Sequence, residues 1–388
     1  MYNCSQNNNK LHVNMFIDYL DMYQDHDNVD FPQLSDTKII VFDTTTGDSI
    51  TEKQPPFQFE GSYSTRITIR INNGRIYVSG NPSRFNRLDN LYGLTSIDKA
   101  VSIYNTILIS LGLPPFTKST GLKYLSSKGD KFSVFSDGAV FTRVDVTSNI
   151  ATGHLNALDY IKAVSTLPYR HLVPHLYSDG NTTEWRNHRN KVSSLIHAKL
   201  YYKAKAIETF DLPKIKRLFG EDSDEYLYIK KLYDFCVDTG IVRFEQEFKS
   251  RFFRNNPHLR YYGLLKLSHF KPLHSEFLNI TNKLQVTSMS LESIADKLLR
   301  LDICHSTKSA NTTAMYALLW MNGKTFESDK RQVQLHRARL RKIGIDIFHS
   351  CDLSKQSLVL VRKAREVNES VPVPPAWYRP ASHLKLVA

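Results

Sequence analysis

In STRITIRINNGRIYVSG (64–80), Ile67, Ile69 and Ile71 alternate with Arg66, Thr68 and Arg70. A period of two belongs to a strand with one buried face. Asn73-Gly74 supplies the turn of a hairpin, and Ile76 and Val78 continue the apolar face. MFIDYLDMYQDH (15–26) and GAVFTRVDVTS (138–148) predict two more strands. SIDKAVSIYNTILISLGL (96–113) repeats its apolar residues at helical spacing and stops at Gly112 and the prolines after it. HLNALDYIKAVSTL (154–167) and SDEYLYIKKLYDFCVDTG (223–240) predict helices, the second capped by Gly240. KLYYKAKAIE (199–208) and IVRFEQEFKSRFF (241–253) read as strands. Residues 15–256 therefore predict an α+β domain, a central antiparallel sheet with flanking helices.

From 257 to about 365 the pattern becomes mostly helical, with SLESIADKLLRLD, NTTAMYALLWMNG and SDKRQVQLHRARLRKIG as helices. Ser328 is the expected N-cap of the last and Gly344 its stop. The asparagine-rich leader, 1–14, is expected to be disordered, and the proline-rich tail, 366–388, extended.

Length and composition narrow the class. A chain of 388 residues with 41% hydrophobic content has room for two domains of a globular protein. It lacks the run of roughly 20 apolar residues that spans a bilayer, so no membrane partner is expected. The N-terminus shows no secretion signal. Cys4, Cys236, Cys304 and Cys351 are widely spaced, as suits reduced thiols in a cytoplasm rather than a disulfide framework or a zinc site. A net charge of +13 favours a polyanionic partner.

The alternation also sorts chemistry. In KLYYKAK, Lys199, Tyr201, Lys203 and Lys205 share one face of the expected strand. In RVDVT the same test groups Arg143, Asp145 and Thr147, and in RFEQEFK it groups Arg243, Glu245, Glu247 and Lys249. If the three strands are neighbours, their charged faces converge. Asp145, Glu245 and Glu247 then offer hard oxygen ligands to Mg²⁺ or Mn²⁺ beside a tyrosine. A phenolate there can attack a phosphodiester, with Lys203 and Lys205 favouring its ionised form. Rows of Lys and Glu on a sheet also form ordinary cross-strand ion pairs, and that reading stays open.

These residues resemble the replication initiators, or gene II proteins, of filamentous bacteriophages. The likeness runs from about 15 to 388. It includes the opening strand, the hairpin, a GNP-x-[KR]-F segment at 80–85 and an N-L-[FY]-G turn at 90–93. FTRVDVT, KLYYKAK and GIVRFEQEFKSRFF resemble the family's R-[IV]-D-x-T, Y-x-K and R-[FV]-E strands in the same order, and PPAWYRPASHLKLVA resembles its closing segment. The resemblance implies a nuclease domain related to HUH initiators that binds the double-stranded phage origin and nicks one strand. It also implies a link to the 5′ end through Tyr201, a 3′ end that primes rolling-circle synthesis by host helicase and polymerase, and recircularisation of the displaced single strand, all in the bacterial cytoplasm. Lys203 carries over as the lysine of Y-x-K, and Tyr202 is the alternative nucleophile. The two-histidine HUH signature is missing, and Asp145 lies on the strand where an equivalent is sought. His154, His171 and His175 are read as ordinary histidines and Trp185 as packing.

Phosphate contacts are expected from Arg66, Arg70, Arg75, Arg84 and Arg87, from Lys205, Arg243 and Lys249, and from Lys330, Arg331, Arg337, Arg339 and Arg341 on the last helix. That helix reads equally as one lying on DNA and as a solvated basic face. A DNA-binding replication or regulatory protein without chemistry explains the charge equally well, but has no need of Asp145, Tyr201 and Glu245 on one surface. An RNA-binding role is permitted by composition and supported by no motif.

Overall fold

The computed structural model describes residues 14–348 and 370–380, apart from 28, 127–131, 281–290, 322–323, 328 and 344. The expected leader (all but residue 14), Cys4, Cys351 and the expected cap and stop at Ser328 and Gly344 lie outside the described residues.

The described strands are β1 (Phe16–Asp25), β2 (Ile39–Phe42), β3 (Ser49–Lys53), β4 (Phe57–Glu60), β5 (Arg66–Asn72), β6 (Arg75–Gly80), β7 (Lys123–Ser126), β8 (Phe132–Phe135), β9 (Val140–Ala151), β10 (Val173–Leu176), β11 (Thr182–Arg186), β12 (Ile196–Tyr202) and β13 (Ile241–Lys249). Nine form one sheet in the order β10-β11-β12-β13-β9-β1-β6-β5-β4, with every neighbouring pair antiparallel. The pairs β2–β3 and β7–β8 make small ribbons of their own. The β5–β6 turn has positive φ at both Asn73 (47°) and Gly74 (75°), the turn whose twist matches a hairpin.

Helices α1 (Ile97–Ser110), α2 (Ala157–Val164), α3 (Lys203–Ala206), α4 (Leu212–Phe219), α5 (Asp224–Thr239), α6 (Ser250–Asn255) and α7 (Lys271–Leu278) flank the sheet. Further along come α8 (Leu291–Arg300), α9 (Thr307–Met321) and α10 (Arg331–Lys342). The fold is thus α+β with a helical C-terminal region, as the pattern predicts. One face of the sheet is apolar and covered. Leu20, Met22, Val78 and Val144 pack with α1 and with Phe253, Tyr262 and Phe270, while Leu200, Phe244 and Trp185 pack with α2 and Phe277. Residues 257–280, expected with the helical region, therefore join the sheet's cores instead. Helices α8–α10 form a separate core around Leu298, Ala314 and Leu340.

The opposite face is polar. Its end near β12 and β13 is capped by α3–α5, by the loop after β6 and by the tail 370–380, which share a core of Leu91, Ile207, Ile229, Ile241 and Tyr378. The tail pairs Ser370 with Ala151 through two backbone hydrogen bonds and seats the Tyr378 hydroxyl on Asp89 (2.8 Å). Trp377 packs edge-on against Tyr228 and Phe235.

Two expected strands end early. KLYYKAKAIE leaves the sheet at Tyr202 and continues as α3, a π-helical turn (Ile207–Asp211) and α4. Ala204, Ile207 and Ile215 are buried at helical spacing, which a four-residue alternation cannot foretell. After Lys249 the chain turns into α6, because Phe252 and Phe253 are both buried and one strand face cannot hold adjacent side chains.

Candidate active site

The central register brings the three charged strand faces together. Across β12, β13 and β9, Tyr201 stands opposite Arg243 and Arg243 opposite Asn149. Lys199 stands opposite Glu245 and Glu245 opposite Thr147, and His197 opposite Glu247 and Glu247 opposite Asp145. The partly buried Tyr201 hydroxyl donates to Glu245 Oε2 at 3.4 Å, and Lys199 Nζ donates to Glu245 Oε1 at 2.8 Å. Burial pushes the Tyr201 phenol well above its usual range, against the opposing pull of the Arg243 guanidinium.

Beneath this surface lies a second network. Between Ile17 and Tyr19 the β1–β9 register shifts by a bulge, a device that re-aims side chains. Asp18 in that bulge accepts from Asn81 Nδ2 (2.6 Å) and Asn90 Nδ2 (2.7 Å), and its other oxygen lies 3.9 Å from Arg243 Nη1. Lys203 Nζ donates to Asn90 Oδ1 at 2.9 Å. Arg243 donates to Asn149 Oδ1 (3.0 Å) and to the carbonyls of Asn90 and Leu91 (2.8 and 2.9 Å). The GNP and N-L-Y-G segments are thereby clamped beside the tyrosine strand. Burial, with Arg243 nearby, brings the Lys203 ammonium down to about 8.

Two family models, both for the gene II replication-associated protein, cover most of the chain. The model of its N-terminal region matches residues 31–269, and the model of its C-terminal region matches 298–383. The chain belongs to this replication-associated protein family. It is 46% identical over 321 residues to the replication-associated protein of Escherichia phage If1, covering 82% of this chain and 99% of that protein. No solved structure matches it.

In this member of the replication-associated family the expected site residues fall into three groups. Tyr201, Asp145, Glu245 and Glu247 share one face of adjacent strands, as alternation predicts. Lys203 and Lys205 do not line that face, because the strand has ended. Lys203 is buried in the network below and Lys205 is exposed on α3, paired with Glu208 at 2.8 Å. The cation set against Tyr201 is Arg243. Arg243 is fully buried, so it is a strut of the site rather than a phosphate contact. Arg87 is likewise committed inward, donating to Ser83 O, Tyr92 O and the Tyr378 hydroxyl.

Asp145, Glu245 and Glu247 are each matched to the protein's own cations. Arg143 holds both oxygens of Asp145 (2.8 and 2.6 Å), Lys199 holds Glu245, and Glu247 faces His197 (3.5 Å) and Lys249 (3.7 Å). Burial, with Glu245 and Glu247 adding repulsion, still pushes the Asp145 carboxyl up to about 7 against the pull of Arg143. Burial also opposes ionisation of Glu247, but His197, Arg143, Lys249 and Lys199 hold it down at about 2. Among the described residues no three Asp, Glu, His or Cys side chains are arranged to hold a metal ion. The donors have the right chemistry for Mg²⁺ or Mn²⁺, but as placed each is held by the protein's own cations rather than arranged around a metal.

The remaining expected phosphate contacts are spread widely. Arg66 pairs with Glu60, Arg75 with Asp25 and Arg84 with Asp211, while Arg70 is exposed and lies over the Tyr77 ring. On α10, Arg337 is held by Asp346 (2.6 Å), Arg341 lies 3.8 Å from it and Arg339 donates to Ser309 Oγ (2.8 Å), while Lys330, just before the helix, pairs with Glu327 (2.7 Å). Arg331 is exposed. Sequence reasoning missed Asp18, Asn81, Asn90 and His197. His197 shares the face of Lys199 by the same alternation, whereas Asp18 needed the bulge to be known. Trp185 is buried, donating to Leu167 O (2.9 Å).

Proposed function

We propose that the protein is a site-specific DNA nicking and joining initiator of rolling-circle phage replication, with Tyr201 as its nucleophile. The observation that carries this reading is a tyrosine on the polar face of the sheet, hydrogen-bonded to Glu245 and set against the buried Arg243, in a member of a replication-associated family. Tyr201 Oη attacks phosphorus while its proton passes to Glu245. The new bond is the tyrosyl phosphoester, and the bond broken is that from phosphorus to the 3′ oxygen, which leaves as a hydroxyl once protonated. Arg243 stabilises the developing phenolate. In the joining step a 3′ hydroxyl attacks the phosphotyrosine and releases the phenol. Lys203 is a positioning residue, holding Asn90 and through it Asp18.

On this reading the substrates are double- and single-stranded phage origin DNA. The free 3′ hydroxyl primes host polymerase, with a host helicase opening the duplex, in the bacterial cytoplasm. The sheet does the chemistry and α8–α10 add DNA contacts.

A nicking assay on supercoiled replicative-form DNA, in Mg²⁺-containing buffer, tests it. Wild type should yield a nicked circle carrying a 5′ peptide after protease digestion, and Tyr201→Phe should bind without nicking. Normal nicking by Tyr201→Phe moves the assignment to Tyr202. Binding without cutting by wild type leaves a non-catalytic origin-binding protein.

A further inference from the structure

A cleft of about 320 Å³ opens on the same polar face, floored by Tyr19, Thr68 and Ser79 and rimmed by Arg66, Arg84, Phe210 and Lys214. It lies across the sheet from Tyr201. Tyr201 is on β12 and Tyr19 on β1, with β13 and β9 between. Three strand spacings across the sheet (about 14 Å) and four residues along it (about 13 Å) place them roughly 19 Å apart. Tyr19 is the cross-strand neighbour of Asp145. The two places are also wired together, since Asn81 in the cleft wall holds Asp18, the carboxylate beside Arg243.

Three features of the cleft point to a ligand. Phe210 is 69% exposed on the π-helical turn, although its neighbour Asp211 is buried against Arg84. Such turns insert one residue into a helix and are frequent at functional sites. The lining carries three cations, Arg66, Arg84 and Lys214, to one carboxylate, Asp211. Burial and the repulsion of Arg84, Arg66 and Arg217 lower the Lys214 ammonium, so the cleft is richer in positive charge than its own carboxylate balances. Lys214 donates to the carbonyl of Ser64, and both Tyr63 and Ser64 are held at positive φ (59° and 52°) at the rim, where left-handed backbone costs free energy in non-glycine residues.

We propose that this cleft holds one nucleotide of the DNA strand that passes over Tyr201, its base stacked on Phe210 and its phosphate between Arg66 and Lys214. This rests on Tyr201 acting on a DNA strand. An aromatic ring at the edge of a basic groove is the general device for gripping single strands without reading sequence. Thr68 and Ser79, opposite each other on paired strands, make the floor polar, Thr68 donating to Gln58 Oε1 (3.0 Å) and Ser79 bonded to Asp21.

The test uses the full chain carrying Tyr201→Phe and a fluorescein-labelled oligothymidylate of about a dozen nucleotides, followed by anisotropy over a salt series. Phe210→Ala should weaken binding about tenfold, and Phe210→Trp should keep it. Lys214→Ala should weaken binding and reduce the salt slope by about 0.7. Because Phe210 is largely exposed, its truncation leaves the core intact, and a melting curve matching the parent's confirms it. Equal affinity of parent and Phe210→Ala overturns the proposal, whatever Tyr201→Phe does to nicking. Weakened binding together with Tyr201→Phe that still nicks supports the cleft and sinks the nucleophile assignment instead.

Discussion

Three groups meet at one point on the sheet: a phenol at Tyr201, a carboxylate at Glu245 and the fully buried guanidinium of Arg243. Arg243→Ala strands Asp18 and removes the donor to three acceptors, so it should cost about 3 kcal/mol in urea denaturation, in the range for breaking one side of a buried ion pair. Asp145 gives a pH signature. Burial, with the repulsion of Glu245 and Glu247, pushes its carboxyl up to about 7 when folded, against about 3.9 when unfolded, so the folded state holds the extra proton between about pH 4 and 7. Its contribution is present at low pH and is lost as pH rises through 7. Wild type should therefore lose stability relative to Asp145→Asn between about pH 4 and 7 in parallel urea titrations; identical pH dependence would refute the shift. The ion pairs on Asp145, Glu245 and Glu247 carry a third expectation, that DNA-free protein shows no saturable Mn²⁺ site by calorimetry. Side-chain alternation alone places Tyr201, Asp145, Glu245 and Glu247 on one face, and the register of β12, β13 and β9 brings that face together. Asp18, Asn81 and Asn90 were hidden because a bulge and a loop, which have no period, deliver them.

At the scale of elements, the turns and stops were legible and the strand ends were not. Asn73-Gly74 and Gly240 announce themselves because few residues accept their backbone angles. Gly240 adopts φ 62° at the end of α5, and a Cβ there would run into the carbonyl of Gly153. Gly240→Ala should therefore destabilise by at least about 1 kcal/mol. It should also disturb the start of β13, which hydrogen exchange at Ile241–Arg243 would report as lost protection. The junction at Tyr202–Lys203 was misread because Lys, Ala and Tyr suit either structure over a few residues. Tertiary packing of Ala204 and Ile207 decides it. Short strands such as β10 and β11 escaped for a related reason, since four or five residues carry too little pattern to separate a strand from a loop.

Across the whole molecule, fewer of the 51 lysines and arginines are available to DNA than their number suggests. Arg75, Arg84, Arg87, Arg143, Arg243 and Arg337 are engaged within the protein, so phosphate binding falls to a smaller set that includes Arg70 and Arg331. Among the described residues no helix is long and apolar enough to cross a membrane. Composition suggested a polyanionic partner, but could not tell which cations are engaged in the fold, because that depends on which carboxylates the topology brings beside them. The tail from Ser370 to Arg379 is the least expected part of the architecture. An extended segment was foreseen, but not its seat on Asp89, Arg87 and the aromatic neighbours of Trp377. Because the chain is fixed to the sheet both where it leaves, near Ile280, and where it returns, at Ser370, helices α8–α10 sit on a closed loop. On the proposed function, DNA gripped by those helices stays tethered beside the sheet that cuts it. Two weak grips then act as one firm one, and the chain can release either end of its DNA without losing the other.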